Sequence, residues 1–183
     1  MTTDLLWPDY ATPDDLAAIE AVPLADRGLP ESTYALLARA ATLWPDRVAV
    51  SVLPDAERWQ RPAQRTYGQL LADVHRYANL LRELGVRRTD AVALMAPNCA
   101  ELITATFAAQ LAGVAAPLNG SLSSAHLAEL LRLSGARVLV TAGPELAPDT
   151  WQTARELAAT GQLDTVLVLR PTAAAGAPTT ATR

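Results

Sequence analysis

LGVRRTDAVALMAPN, residues 84–98, sets the pattern from which the rest of the chain is read. A helical period enters it from residue 67 and stops at Gly85. Glycine just past a helix end takes up the left-handed backbone that terminates the helix. A few residues on, positions 91–95 are apolar without interruption, and Ala96-Pro97-Asn98 turns the chain out of the run. An unbroken apolar run of about five residues suits a parallel strand covered on both faces, whereas a half-solvated strand would alternate.

The same order recurs along the chain. Helix-like segments stop at Gly113, Gly135 and Gly161, and short apolar runs follow at 114–118, 137–141 and 165–169. Helix, glycine stop and strand in repetition is the pattern of βαβ units, so the expected fold class is α/β, a mostly parallel sheet flanked by helices. The helix at 67–84 is the clearest. Leu70, Leu71, Val74, Tyr77, Ala78, Leu81 and Leu84 make one apolar stripe, and Thr66 with Gln69 forms a capping-box start. Asn98 with Glu101, and Asp149 with Gln152, carry the same start signal for two later helices. Upstream, residues 32–43 read as a helix and 47–53 as a strand. Residues 1–30, with four prolines, read as an N-terminal extension, 31–170 as the domain, and the low-complexity stretch 171–183 as a flexible tail.

Composition narrows the function. The chain has 183 residues and a net charge of −4, and all 15 basic residues are arginine. An acidic chain without a basic stripe points away from nucleic acid, and a chain without lysine supplies no catalytic or phosphate-binding ammonium side chain. The single cysteine, Cys99, allows no internal disulfide, in keeping with a cytoplasmic setting. The first residues show no basic segment followed by an apolar one, so no secretory leader is read. The apolar stretch 99–118 is cut by Gly113 and Pro117, which favours a buried helix and strand over a transmembrane segment. Two histidines and one cysteine argue against a metal site, and none is expected.

These elements carry a resemblance. Arg65-Thr66-Tyr67-Gly68-Gln69-Leu70 resembles the "LTYxEL" motif of adenylate-forming enzymes. Residues 84–93 are similar to that superfamily's "LGVxxGDxVA" turn, with Thr89 where glycine is usual. Ala96-Pro97-Asn98-Cys99 looks like "LPNS", residues 111–119 resemble "LKAGAVxVPLN", and 122–140 resemble the stretch that follows. All occur in order across 32–170, and the opening 15–34 resembles bacterial AMP-forming acyl-CoA synthetases. The resemblance implies the first subdomain of such an enzyme's N-terminal domain, truncated before the phosphate loop. The parent reaction it implies joins a carboxylic or fatty acid to CoA with ATP cleaved to AMP and pyrophosphate, through an acyl-adenylate. ATP, Mg²⁺ and CoA are implied for the full-length relative, and no cofactor is expected on this chain.

No residue is assigned as catalytic. Thr66, Tyr67, Gly113, Pro117 and Asn119 read as structural motif positions: a cap, a core aromatic and a strand boundary. Asn98 and Cys99 follow a strand, where ligands of open parallel sheets bind, and are the candidates for a substrate pocket. Three readings follow. The first is a synthetase fragment, inactive alone, whose partner is the missing remainder of the domain. The others are a free-standing module that pairs with another adenylating subunit, and an unrelated small nucleotide-binding α/β protein.

Overall fold

A computed structural model describes residues 10–53, 59–60, 62–170 and 181–182, with backbone only at Leu24, Ala181 and Thr182. The elements in order are α1 (Pro13–Glu20), a 3-10 turn (Leu24–Arg27), α2 (Thr33–Leu43), β1 (Val48–Val52), β2 (Ala63–Thr66), α3 (Tyr67–Glu83), β3 (Ala91–Met95), α4 (Ala100–Ala112), β4 (Val114–Pro117), α5 (Ser124–Ser134), β5 (Val138–Ala142), α6 (Pro148–Ala159), β6 (Thr165–Leu169) and β7 (Ala181–Thr182).

The main sheet runs β4-β3-β5-β6-β7. Its first four strands are mutually parallel, and β7 pairs antiparallel with β6. Every residue of β5 is buried, as are Val92–Met95 of β3. This is why their sequences are continuous apolar runs. The strands feed two cores. Val92, Leu94, Val138, Val140, Leu167 and Leu169 pack with Leu70, Val74, Ala78 and Leu81 of α3 and the alanines of α4. Ala93, Met95 and Leu139 face the other way, onto Leu127 and Leu131 of α5 and Ala154 and Leu157 of α6. The result is a three-layer unit, α3 and α4 on one side and α5 and α6 on the other. Full burial of each such Leu contributes about 1.5–3 kcal/mol before entropy is charged against it.

Helix starts are set by capping. Thr66 and Gln69 make the expected reciprocal pair: Gln69 N donates to Thr66 Oγ1 at 3.3 Å, and Thr66 N to Gln69 Oε1 at 3.0 Å. Two other expected starts differ. The N-cap of α4 is Cys99, whose Sγ accepts from Leu102 N at 3.4 Å. Asn98 lies one residue outside the helix, so its amide is free of capping. The N-cap of α6 is Ala147 with no side-chain bond, and Pro148 and Asp149 fall inside the first turn. Gln152 bonds Glu156 instead, at 3.2 Å.

The glycine stops divide into two kinds. Gly85, Gly135 and Gly161 have φ of 94°, 67° and 74°, the left-handed backbone expected at a helix end. Gly113 has φ −159°, outside the left-handed region. It is glycine for lack of space: a Cβ there would lie 2.5 Å from the Asp90 carbonyl oxygen and 2.9 Å from that of Arg87.

A small antiparallel pair, β1–β2, precedes the sheet. The second strand, AQRT, has no apolar run, and the sequence offers no period by which to find it. Backbone bonds from Tyr67 N to Arg47 O (3.0 Å) and Gly68 N to Pro45 O (2.9 Å) tie it to the end of α2. Of the N-terminal extension, α1 has a Thr12–Asp15 capping box and no buried residue. The expected tail at 171–183 lies outside the described residues, apart from Ala181 and Thr182.

Candidate functional site

The order β4-β3-β5 contains a reversal. The chain moves from β3 outward to β4 through α4, then returns across β3 to β5 through α5. The helices leaving β3 and β4 therefore cover opposite faces. In doubly wound sheets, a ligand crevice opens beyond the carboxyl ends of strands at such a switch point. Here the edge is built from the segments after β3, β4, β5 and β6.

After β3 come Asn98 and Cys99. Asn98 is exposed at the mouth of the switch point. Its side chain can donate and accept hydrogen bonds. Cys99 is buried, with 6% exposure. Burial pushes its thiol pKa up, and the neighbouring Glu101 charge adds to the rise. The thiol is thus held neutral and capped onto α4, the reverse of an activated nucleophile. The two candidates differ in their surroundings: Asn98 is exposed, and Cys99 is buried and caps α4.

After β4, Leu118 N donates to Leu94 O at 2.8 Å, continuing the pairing past Pro117. Asn119 Oδ1 accepts from Ser121 N at 3.0 Å, closing a local turn. A Cβ on Gly120 would meet Met95 Cγ at 3.4 Å and Thr150 Oγ1 at 3.6 Å, so this loop lies down on the α5–α6 side of the sheet.

At and beyond the ends of β5 and β6 stand residues that carry no motif in the sequence. Thr141, paired in register with Met95, is fully buried, and its Oγ1 has no hydrogen-bond partner. Glu145 and Arg170 form an ion pair at 3.6 Å across the ends of β5 and β6. Glu145 also folds back over Gly143, where a Cβ would lie 2.8 Å from its Oε2. The signal that could have found these residues is their position, at the end of an apolar run or one to four residues past it.

Chemically, among the described residues this edge offers the exposed Asn98 amide and the Glu145–Arg170 ion pair, and its buried cysteine is not an activated nucleophile. Phosphate cradles are concavities of backbone N–H groups opened by glycine. At Gly143 the Glu145 carboxylate fills the space, and Gly120 lies in ordinary contact with Met95 and Thr150. Among the described residues, no group of three His, Cys, Asp or Glu side chains could hold a metal ion. The described edge therefore does not fit a Mg²⁺-triphosphate.

The class defined by this geometry is a doubly wound α/β unit with its ligand edge at a β3/β5 switch point. Comparison with known proteins gives the particular family. A family model described as "AMP-binding enzyme" matches residues 37–182, and the chain belongs to that family. It is 32% identical over 105 residues to the long-chain-fatty-acid–CoA ligase FadD13 of Mycobacterium tuberculosis, a match covering 55% of this chain and 21% of the relative. It is 33% identical over 112 residues to the 2-succinylbenzoate–CoA ligase of Oceanobacillus iheyensis, covering 61% and 22%. The crystal structure of the N-terminal domain of FACL13 from M. tuberculosis superposes with a TM-score of 0.61 at 28% identity, covering 74% of this chain and 33% of that one. The chain thus spans about a fifth of the curated relatives' length. Among the described residues, no helix is long and apolar enough to cross a membrane.

Proposed function

We propose that this chain forms the leading wall of an acyl-CoA ligase, and that the 183-residue polypeptide does not adenylate a carboxylate by itself. The observation that carries the reading is the family match over residues 37–182 on a chain without a single lysine. The relatives it matches are CoA ligases of a long-chain fatty acid and of 2-succinylbenzoate, so the substrate class is a carboxylic acid. In the parent reaction the carboxylate is joined to AMP with release of pyrophosphate, and the acyl group then passes to the CoA thiol. ATP and CoA are held by the rest of the ligase, and this chain's contribution is position. The β3/β5 edge supplies one side of the substrate crevice, with Asn98 at its mouth. The partner is the remainder of the ligase domain, and the setting is cytoplasmic.

The test is ATP–pyrophosphate exchange by the purified chain, offered a long-chain fatty acid and, separately, 2-succinylbenzoate. No exchange above a protein-free blank is expected with either acid. Exchange that tracks the chain through purification and depends on added acid overturns the reading.

A further inference from the structure

The amino edge of the sheet, opposite the candidate crevice, carries a cavity of about 390 Å³ lined by Arg82, Val86, Arg87, Arg88, Gln110 and the backbone turn from Leu111 to Gly113. Three of its lining side chains are guanidinium groups and none is a carboxylate. Among the described residues none of the three arginines makes an ion pair. Three guanidiniums without an ion pair among the described residues thus sit together on a chain of net charge −4.

Two of the guanidiniums have a structural duty. Arg82 Nη2 donates to Leu111 O at 3.1 Å, and Arg87 Nη1 donates to Arg82 O and Val86 O, both at 3.3 Å. Leu111 O and Arg82 O belong to the last turns of α4 and α3, where the helix dipole places about half a negative charge, and Arg82 O also accepts from Gly85 N at 3.0 Å. Asp90, beside the cavity, turns one carboxylate oxygen to Arg87 N at 2.8 Å. After these are counted, Arg88 has no hydrogen bond or ion pair among the described residues, and each of the other two guanidiniums, with five N–H donors, keeps donors to spare.

We propose that this cavity binds a diphosphate group. Guanidinium groups match phosphate oxygens through paired N–H donors. A diphosphate offers several charges that more than one guanidinium can share, whereas a lone carboxylate engages one at a time. The volume lies in the range of about 300–1,000 Å³ typical of small-molecule sites. Gly113 shapes the floor: with no Cβ it lets the backbone at the end of α4 close onto Asp90 and Arg87. Diphosphate binding here is independent of the ligase role proposed for the opposite edge.

The experiment is calorimetric titration of the whole chain with inorganic pyrophosphate and with ADP, using sulfate and citrate as competitors. Saturable one-site binding of pyrophosphate is expected, weakened by added salt. Binding of ADP as well assigns the site to nucleotide-borne diphosphate; binding of pyrophosphate alone assigns it to the free ion. Arg88 carries no fold-supporting bond, so Arg88→Gln keeps the native circular dichroism and weakens pyrophosphate binding about tenfold or more, while Arg88→Lys retains part of it. Arg132→Gln, on α5, leaves binding unchanged. Amide NMR signals of residues 87, 88 and 113 shift on titration. Absence of saturable pyrophosphate binding, equal competition by sulfate and citrate, or unaltered binding in a folded Arg88→Gln chain each overturns the proposal.

Discussion

Replacing Gly113 by alanine tests the packing logic of the sheet at its tightest point. The backbone there has φ −159°, so the left-handed conformation is not what requires glycine. The barrier is contact. The new methyl would sit 2.5 Å from Asp90 O, 2.9 Å from Arg87 O and 3.0 Å from Val86 Cγ1. The first two are backbone atoms with little room to yield. Asp90 O accepts from Val114 N at 2.9 Å, the bond that leads into the β3–β4 pairing, and Arg87 O accepts from Asp90 N at 2.9 Å. Relief of the clash must loosen one of these or slide β4. Overpacking of this kind costs about 1–3 kcal/mol, and two immovable contacts put Gly113→Ala near or above the top of that range. At about 2–4 °C per kcal/mol for a domain of this size, the melting temperature falls by roughly 6–12 °C. Gly135 is the control. It has φ 67° and nothing within 4 Å of the place a Cβ would occupy, so alanine there costs only the left-handed backbone, about 1–2 kcal/mol, and asparagine recovers part of it. Asparagine at Gly113 recovers nothing. Urea denaturation of the four variants separates the two mechanisms; a Gly113→Ala chain within about 0.5 kcal/mol of the parent, the scatter of an ordinary surface substitution, refutes the steric account.

Two other outcomes follow from the caps. Thr66→Ala removes one half of the reciprocal bond that starts α3 and lowers stability by about 1 kcal/mol in urea denaturation, while Thr66→Ser, which keeps the oxygen, stays near the parent. Cys99 has its thiol pKa raised by burial, so the unfolded chain gives up this proton before the folded chain does. The stability it contributes is therefore whole below the ordinary cysteine range and is lost as pH rises through the folded-state value. Denaturation midpoints should fall with alkaline pH less steeply in Cys99→Ala than in the parent, and iodoacetamide should modify the native thiol far more slowly than the urea-unfolded one. Rapid native alkylation at neutral pH would show that the thiol is neither buried nor capped.

Much of the fold was legible in the sequence because its strands are buried on both faces. Residues 91–95 and 165–169 are apolar throughout, and they form β3 and β6 with those bounds. The stripe beginning at Leu70 gave α3 within one residue of its end. The reading failed where a local signal was absent or had a competitor. AQRT pairs with β1 through backbone bonds and side chains of no periodic polarity, so β2 left no pattern. Asn98 is the better capping residue by type, yet the N-cap of α4 is Cys99, and an ordinary preference loses to the geometry that places the β3 turn one residue later. Gly113 was legible as a stop but not as a contact, since the carbonyls that exclude a side chain come from residues 87 and 90. The candidate edge was half legible for a similar reason. Asn98 follows its strand directly, whereas the Glu145–Arg170 pair joins the ends of two strands and exists only once β5 and β6 lie side by side.

Charge placement decides what such a unit can contribute to acyl activation. Holding a triphosphate or a mixed anhydride in place takes cations that are not already neutralised and that cannot be replaced by water at the critical moment. At the carboxyl edge the one described arginine, Arg170, is paired with Glu145, and Asn98 brings a dipole rather than a charge. Arg82, Arg87 and Arg88 lie at the other end of the sheet, around Gly113 and away from the β3/β5 crevice. Under the proposed function, a chain organised in this way shapes a pocket wall and orients a carboxylate through Asn98. Charge stabilisation of the reaction must then come from groups outside the described residues, so Asn98→Ala in an assembled ligase should weaken acyl-substrate binding more than it slows turnover.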